Sequence, residues 1–145
     1  MEPGAVVEVM GGSAAVHGPV GGLADLRAEI SRGLRFAALQ NTAEHVFPDP
    51  AARRRFLHRV VPEGSYKRRA KSGRLTPAES ERTARLAHVV ALAEDVWRDA
   101  DDARQFLTTP HPELEDRAPI DVAVEDFGAR HVEEILEGIR HGLPA

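Results

Sequence analysis

The chain has 145 residues, 42% hydrophobic and only 5% aromatic, so any core must be built mainly from Leu, Val, Ile and Ala. It has no cysteine, which excludes disulfides and cysteine-bearing metal sites, and no run of about 18 apolar residues that would span a membrane. The net charge of -4 hides a split: residues 53–74 carry nine basic side chains and one acidic, while residues 75–145 carry seven basic and sixteen acidic. A local excess of that size suits a polyanionic partner that the average charge would not suggest.

Residues 1–22 are Gly-rich and read as a flexible tail, with residues 5–10 at most a short strand laid on a partner. They lack the basic start and compact apolar core of a secretion signal, so a cytoplasmic location is expected. From Leu23 the pattern turns helical. Leu23, Leu26 and Ile30 share one face, ended by Gly33. Phe36, Leu39, Ala43 and Val46 make a second face. Asp49 can cap the next helix and Pro50 suits its first turn; that helix presents Phe56, Leu57 and Val60. Pro62 opens a short helix to about Ser72, closed by Gly73. Thr76-Pro77-Ala78-Glu79 is a capping box with Pro at the first helical position. It opens the longest helix, roughly residues 77–98, with an apolar stripe of Leu86, Val89, Val90, Ala93, Val96 and Trp97. Asp99 caps a short helix, Pro110 and Pro112 force an irregular link, and Pro119 opens another short helix. The last helix, roughly residues 128–140, buries Val132, Ile135, Leu136 and Ile139 before Gly142. No convincing strand pair appears, so the fold is expected to be all-α. The expected division is a tail over 1–22, a helix-turn-helix-like domain over 23–75 and a small helical domain over 76–145.

Two short helices with a turn between them, the second strongly basic, fit the helix-turn-helix arrangement, whose second helix enters the major groove of DNA. Its candidate contacts are Ser65, Tyr66, Lys67, Arg68, Arg69, Lys71 and Arg74. The cations would neutralise phosphates and release counterions, while Ser65 and Arg69 could reach base edges. The alternative is a solvated basic helix, or one docked on the acidic half of the same fold. Gly64 inside this helix weakens it by about 1 kcal/mol relative to Ala. The seven histidines have no metal-ligand spacing, and Asp99, Asp101 and Asp102 lack the pattern of a calcium loop. No phosphate loop, serine elbow or catalytic carboxylate pair stands out. No metal, cofactor or catalytic residue is therefore expected, and the chain is not expected to be an enzyme.

The motifs themselves are similar to those of a known family. Gly73-Arg74-Leu75-Thr76-Pro77-Ala78-Glu79-Ser80-Glu81-Arg82, Leu107-Thr108-Thr109-Pro110-His111-Pro112-Glu113-Leu114, Arg117-Ala118-Pro119-Ile120-Asp121 and the run from Gly128 to Gly142 follow one another at consistent spacing. In them the chain resembles the Xre/MbcA/ParS-like antitoxins that pair with RES-domain toxins. The resemblance implies an N-terminal helix-turn-helix-like domain followed by a helical toxin-binding domain. It implies a cognate RES toxin that consumes NAD or transfers ADP-ribose. It also implies operator DNA as a second partner, autorepression, and a homodimer within a hetero-oligomeric complex. The toxin-binding residues would be Arg130, Ile139, Arg140, His141, Gly142, Leu143, Pro144 and Ala145, the last helix and tail covering the toxin's active site. A stand-alone helix-turn-helix regulator, its acidic half serving for dimerisation, is the alternative. The chain departs from the family pattern in carrying Glu115-Asp116 where small residues or Gly are usual. It also has Ala118 in place of a Ser or Thr cap, and Val60-Val61 in place of a Gly-containing turn.

Overall fold

The computed structural model describes residues 1–142. Among them are nine α-helices: α1 Pro3–Val9, α2 Leu23–Arg32, α3 Ala37–Val46, α4 Pro50–Val60, α5 Glu63–Ser72, α6 Pro77–Trp97, α7 Ala100–Thr108, α8 Pro119–Val122 and α9 Asp126–Arg140. Single 3-10 turns cover Gly12–Ala14 and Pro112–Leu114. The all-α expectation holds. The described residues form no strand, only two isolated bridges that join Arg35 to Arg74 and His111 to Arg117.

The boundaries follow the capping chemistry. Asp49 accepts a hydrogen bond from the Ala52 N–H at 2.9 Å to start α4. In the capping box of α6 the Thr76 hydroxyl accepts from the Glu79 N–H at 3.2 Å, and Glu79 accepts from the Thr76 N–H at 2.9 Å. The carboxyl of Asp99 receives both the Asp101 and Asp102 N–H groups at the head of α7. Gly33 ends α2 at φ 100, and a Cβ there would stand 2.5 Å from the Leu75 carbonyl oxygen. Only glycine lets the 33–36 segment lie against 73–75, where Phe36 N–H bonds Gly73 O and Leu75 N–H bonds Leu34 O, both at 2.9 Å.

Helix α6 is the axis of the molecule. Its buried residues include Ser80, Thr83, Ala84, Leu86, Ala87, Val89, Val90 and Ala93. That is a set of small and branched side chains spread over more than one stripe. Helices α1, α2 and α3 pack on it from the N-terminal half of the chain, and α7 and α9 from the C-terminal half. A helix covered on several faces needs small residues wherever neighbours approach, which is why alanines recur along it.

The N-terminal segment differs from the expected flexible tail and short strand. Residues 3–9 form a helix that buries Val6 and Val9, and Met10 at its C-cap, Ala15 and Val16 are buried after it. Val6, Val9 and Met10 stand at i, i+3 and i+4, a helical period too short to register among the glycines. Polar bonds fix the segment. Asn41 Nδ2 donates to Met10 O at 3.1 Å, Arg35 N–H donates to Ala15 O at 2.9 Å, and the His17 N–H meets the Glu29 carboxylate. At Gly11 (φ 108) a Cβ would stand 2.0 Å from Asn41 Nδ2, so the glycine is what allows this contact.

Candidate functional site

The basic segment folds as two helices joined by an extended turn. Val60 and Val61 are fully buried, and Val61 is extended at φ -132 and ψ 115. The turn needs no left-handed residue, so valines that fill the core replace the usual glycine without strain. Arg82 holds this corner by donating to Val60 O. Helix α5 has no buried residue, so it lies along the surface. Gly64 falls in its first turn, where a Cβ would meet open space, and its entropic cost is small there.

Of the seven candidate contacts on and after α5, Ser65 is half-buried and the other six divide into two groups. Lys67, Arg68, Lys71 and Arg74 are exposed. Lys67 approaches Glu63 only at 4.0 Å, Arg68 donates to the Ser65 hydroxyl at 3.0 Å, and Arg74 donates to His17 Nε2 at 3.1 Å. Such long solvated side chains are free to turn to a phosphate. Tyr66 and Arg69 are half-buried and structural. The Tyr66 ring meets Phe36 at 5.0 Å and His58 at 5.2 Å, both edge-on. Arg69 Nε donates to Glu79 at 2.7 Å and so ties α5 to the head of α6. Burial alone would raise the Glu79 pKa; bonds from Thr76 and Arg69 outweigh it and hold the carboxyl below its ordinary value. In the Arg53-Arg54-Arg55 run, Arg53 is also structural, donating to Phe47 O at 2.9 Å and Pro48 O at 2.8 Å beyond the end of α3.

At the other end of the molecule, α9 turns Ala129, Val132, Ile135 and Leu136 inward. Gly128 is required where α9 crosses α8, since a Cβ would lie 2.1 Å from Val122 O. Of the residues expected to meet a partner, Arg130, Arg140, His141 and Gly142 are exposed and Ile139 is half-buried against the core. Arg140 donates to Asp95 on α6 at 2.6 Å and approaches Glu137 at 3.4 Å. The expected inhibitory end is therefore anchored at Arg140. His141 lies 3.8 Å from Glu137, and Gly142 takes φ 80. Leu143, Pro144 and Ala145 lie outside the described residues.

Two domain families match this architecture. The antitoxin Xre-like helix-turn-helix domain matches residues 25–88, and the antitoxin Xre/MbcA/ParS C-terminal toxin-binding domain matches residues 92–142. The chain belongs to the Xre-type antitoxin family. A protein of Yersinia enterocolitica named "Antitoxin Xre" is 35% identical over 78 residues, covering 53% of each chain. A second "Antitoxin Xre", from Pseudomonas putida, is 35% identical over 68 residues, 47% of this chain and 43% of that one. The aligned part spans about half the length of these curated relatives.

The two matched ranges meet within α6, whereas the division at 75/76 expected from charge lies before that helix. Charge changes sign at residue 75, but α6 completes the core of both halves of this antitoxin-family chain. Residues 1–24 lie outside both matched ranges, yet α1 packs on α3 and α6. The first residues of the chain reach the C-terminal half as well: Met1, Glu2 and Ala5 share a cleft with His88, Glu137 and Arg140. Burial lowers the His88 pKa against the pull of Glu133, 3.3 Å away, and the N-terminal ammonium lowers it further. Among the described residues no group of acidic or histidine side chains could hold a metal, and no helix is long and apolar enough to cross a membrane.

Two features escaped the sequence reading. Phe127 on α9 is 86% exposed, three residues before Arg130 and so on the same helical face. Glu115 and Asp116, the departure from the family's small residues, both adopt the left-handed conformation at φ 56 and φ 60. The tertiary fold imposes that geometry on them, because the loop closes through His111 N–H to Arg117 O at 3.0 Å.

Proposed function

We propose that this chain is an antitoxin that binds and neutralises a RES-domain toxin, one that consumes NAD or transfers ADP-ribose. The match of residues 92–142 to a toxin-binding domain carries this reading. The protein acts by occlusion rather than chemistry: the end of α9 and the segment after it cover the toxin's active-site entrance. His141 is exposed at that end, which Arg140 keeps in register through Asp95, and Arg130 is exposed near the start of the same helix. Phe127 adds an apolar anchor beside Arg130. The toxin's RES identity and the homodimer within a larger complex come from the family resemblance. Co-expression tests the reading. The full chain should rescue cells from the neighbouring RES toxin, and removing residues 141–145 should abolish rescue while leaving the Arg140–Asp95 pair and the fold intact. Rescue by the shortened chain would refute the occlusion mechanism.

The exposed cations of α5 favour a second activity, autorepression through operator DNA. Replacing Lys67, Arg68 and Lys71 together by Ala spares the Arg69–Glu79 pair and so separates DNA contact from stability. If each contacts a phosphate, the slope of log affinity against log salt should fall by about 2.7 on the scale of roughly 0.9 per phosphate. Loss of DNA binding with retained neutralisation would separate the two activities. Unchanged DNA binding would rule out α5 as the DNA-reading helix. A stand-alone regulator, the alternative, would bind its operator with the same salt dependence and rescue nothing.

A further inference from the structure

Arg35 and Arg74 stand opposite each other in the isolated antiparallel bridge beyond the end of α5. The bonds of that bridge run from Phe36 N–H to Gly73 O and from Leu75 N–H to Leu34 O, so the two arginines are its non-hydrogen-bonded pair. In such a pair both side chains leave on the same face, at the closest approach that antiparallel segments allow. Both residues are exposed. Like charges placed directly opposite each other are destabilising, and nothing nearby offsets them. Among the described residues the two side chains meet only uncharged acceptors. Arg35 Nε donates to Val16 O at 3.3 Å, and Arg74 Nη2 donates to His17 Nε2 at 3.1 Å. The neighbouring carboxylate of Glu29 is buried and engaged by Arg32 at 2.9 Å and by the His17 N–H.

The pair is also held in place. Val16 and His17 are consecutive, so the two guanidinium heads reach neighbouring points of one segment. The Arg74 stem crosses Gly33, where a Cβ would stand 3.2 Å from its Cγ and 3.3 Å from its Cδ. The Arg35 N–H is fixed by Ala15 O at 2.9 Å. Each guanidinium carries five N–H donors and uses one of them in these side-chain bonds. Two exposed, forked cations held side by side suit a phosphate, which takes parallel N–H bonds from guanidinium groups and cancels their repulsion.

We propose that Arg35 and Arg74 together hold one phosphate of the DNA backbone, beside the stretch contacted by α5. Continuity with α5 names the partner. The Ser72 hydroxyl lies 3.2 Å from both Arg69 O and Arg74 O, which ties the pair to the last turn of the helix that exposes Lys67, Arg68 and Lys71. Arg35 lies outside the two helices of the basic segment, and residues 15–17, which meet both arginines, lie outside both matched domains. The N-terminal segment therefore borders the nucleic-acid face. The inference rests on the reading of α5 as the DNA-contacting helix.

Phosphate contacts carry no sequence information, so the probe is a fluorescein-labelled duplex of random sequence, about 20 base pairs long. Anisotropy follows its binding to the full chain over a series of salt concentrations. The double variant Arg35→Gln/Arg74→Gln removes both charges and keeps the stems and the backbone bonds of the bridge. Loss of one shared phosphate should lower the slope of log affinity against log salt by about 0.9. Carried down from about 1 M salt, that slope is roughly an eightfold loss of affinity at about 0.1 M. A slope lowered by about 1.8 would mean two separate phosphates and overturns the shared one. An unchanged slope overturns the site. Arg27→Gln/Arg98→Gln removes the same charge at exposed positions on α2 and at the end of α6, and should leave the slope as it was. An equal loss there makes the effect one of net charge and overturns the pair. A native chain that does not bind the duplex refutes the DNA reading and this inference with it. A slope that falls when Lys67, Arg68 and Lys71 are replaced, but not in the Arg35→Gln/Arg74→Gln chain, refutes this inference alone.

Discussion

Replacing Met10 by Ala distinguishes an N-terminal segment that belongs to the core from one that merely precedes it. Met10 is fully buried at the end of α1, its carbonyl accepting from Asn41 Nδ2 at 3.1 Å. The substitution removes the three side-chain atoms beyond Cβ and leaves the backbone bond in place. Buried Met→Ala changes cost about 2–5 kcal/mol, the lower part of the range applying where neighbours can close the gap. Helix α1 spans seven residues and can settle by a fraction of an ångström, so about 3 kcal/mol is the expected loss. With a urea dependence of about 2 kcal/mol per molar, the unfolding midpoint should fall by about 1.5 M. The melting temperature should fall by roughly 6–12 °C. Glu8→Ala, at an exposed position of the same helix, is the control and should change stability by less than about 0.5 kcal/mol. Equal stability of the Met10→Ala and Glu8→Ala proteins would refute the packing of α1 on α6 and restore the flexible-tail reading.

Three further outcomes test local geometry. Gly128→Ala should cost about 1–3 kcal/mol in urea unfolding, because its Cβ would lie 2.1 Å from Val122 O; the same change in an open helix would stabilise by about 1 kcal/mol. Glu115→Gly should raise stability by about 0.5–1 kcal/mol, since residue 115 stands at φ 56, where a Cβ is penalised; a lower melting temperature would count against a left-handed turn there. The third concerns His45. Its hydrogen bond to Glu94, at 2.9 Å, raises the imidazole pKa above its ordinary value. A raised folded-state pKa means that the stabilisation is fully present below the unfolded pKa of about 6.5 and is lost as pH rises through the folded value. The difference in stability between the native protein and His45→Gln should therefore be larger at acid than at alkaline pH. It should stay below about 1 kcal/mol because both partners are partly solvated. A difference that does not vary with pH would show that the pair contributes no proton-linked stability.

The helices from α2 to α9 were legible in the sequence because their ends are written locally. Asp49 and Pro50, the Thr76–Glu79 box, Asp99 and Pro119 act on N–H groups within one turn, so no distant partner is needed to read them. The charge split was equally local, and it pointed to α5 as a cationic surface. Helix α1 was not legible. Its three buried residues are too few to show a period, and what holds them, Asn41, Arg35 and Glu29, comes from later in the chain. The same distinction divides the candidate contacts. Sequence spacing placed Lys67, Arg68, Arg69 and Lys71 together, but only the approach of α6 determined that Arg69 is engaged by Glu79 while its neighbours stay free. At the other end it was Asp95, 45 residues earlier, that anchored Arg140. Caps, turns and net charge are properties of consecutive residues, and the sequence alone determined them. Which cations are paired, which donors are buried without acceptors and which segments enclose α6 depend on residues far apart in the chain, and only the tertiary structure could decide them.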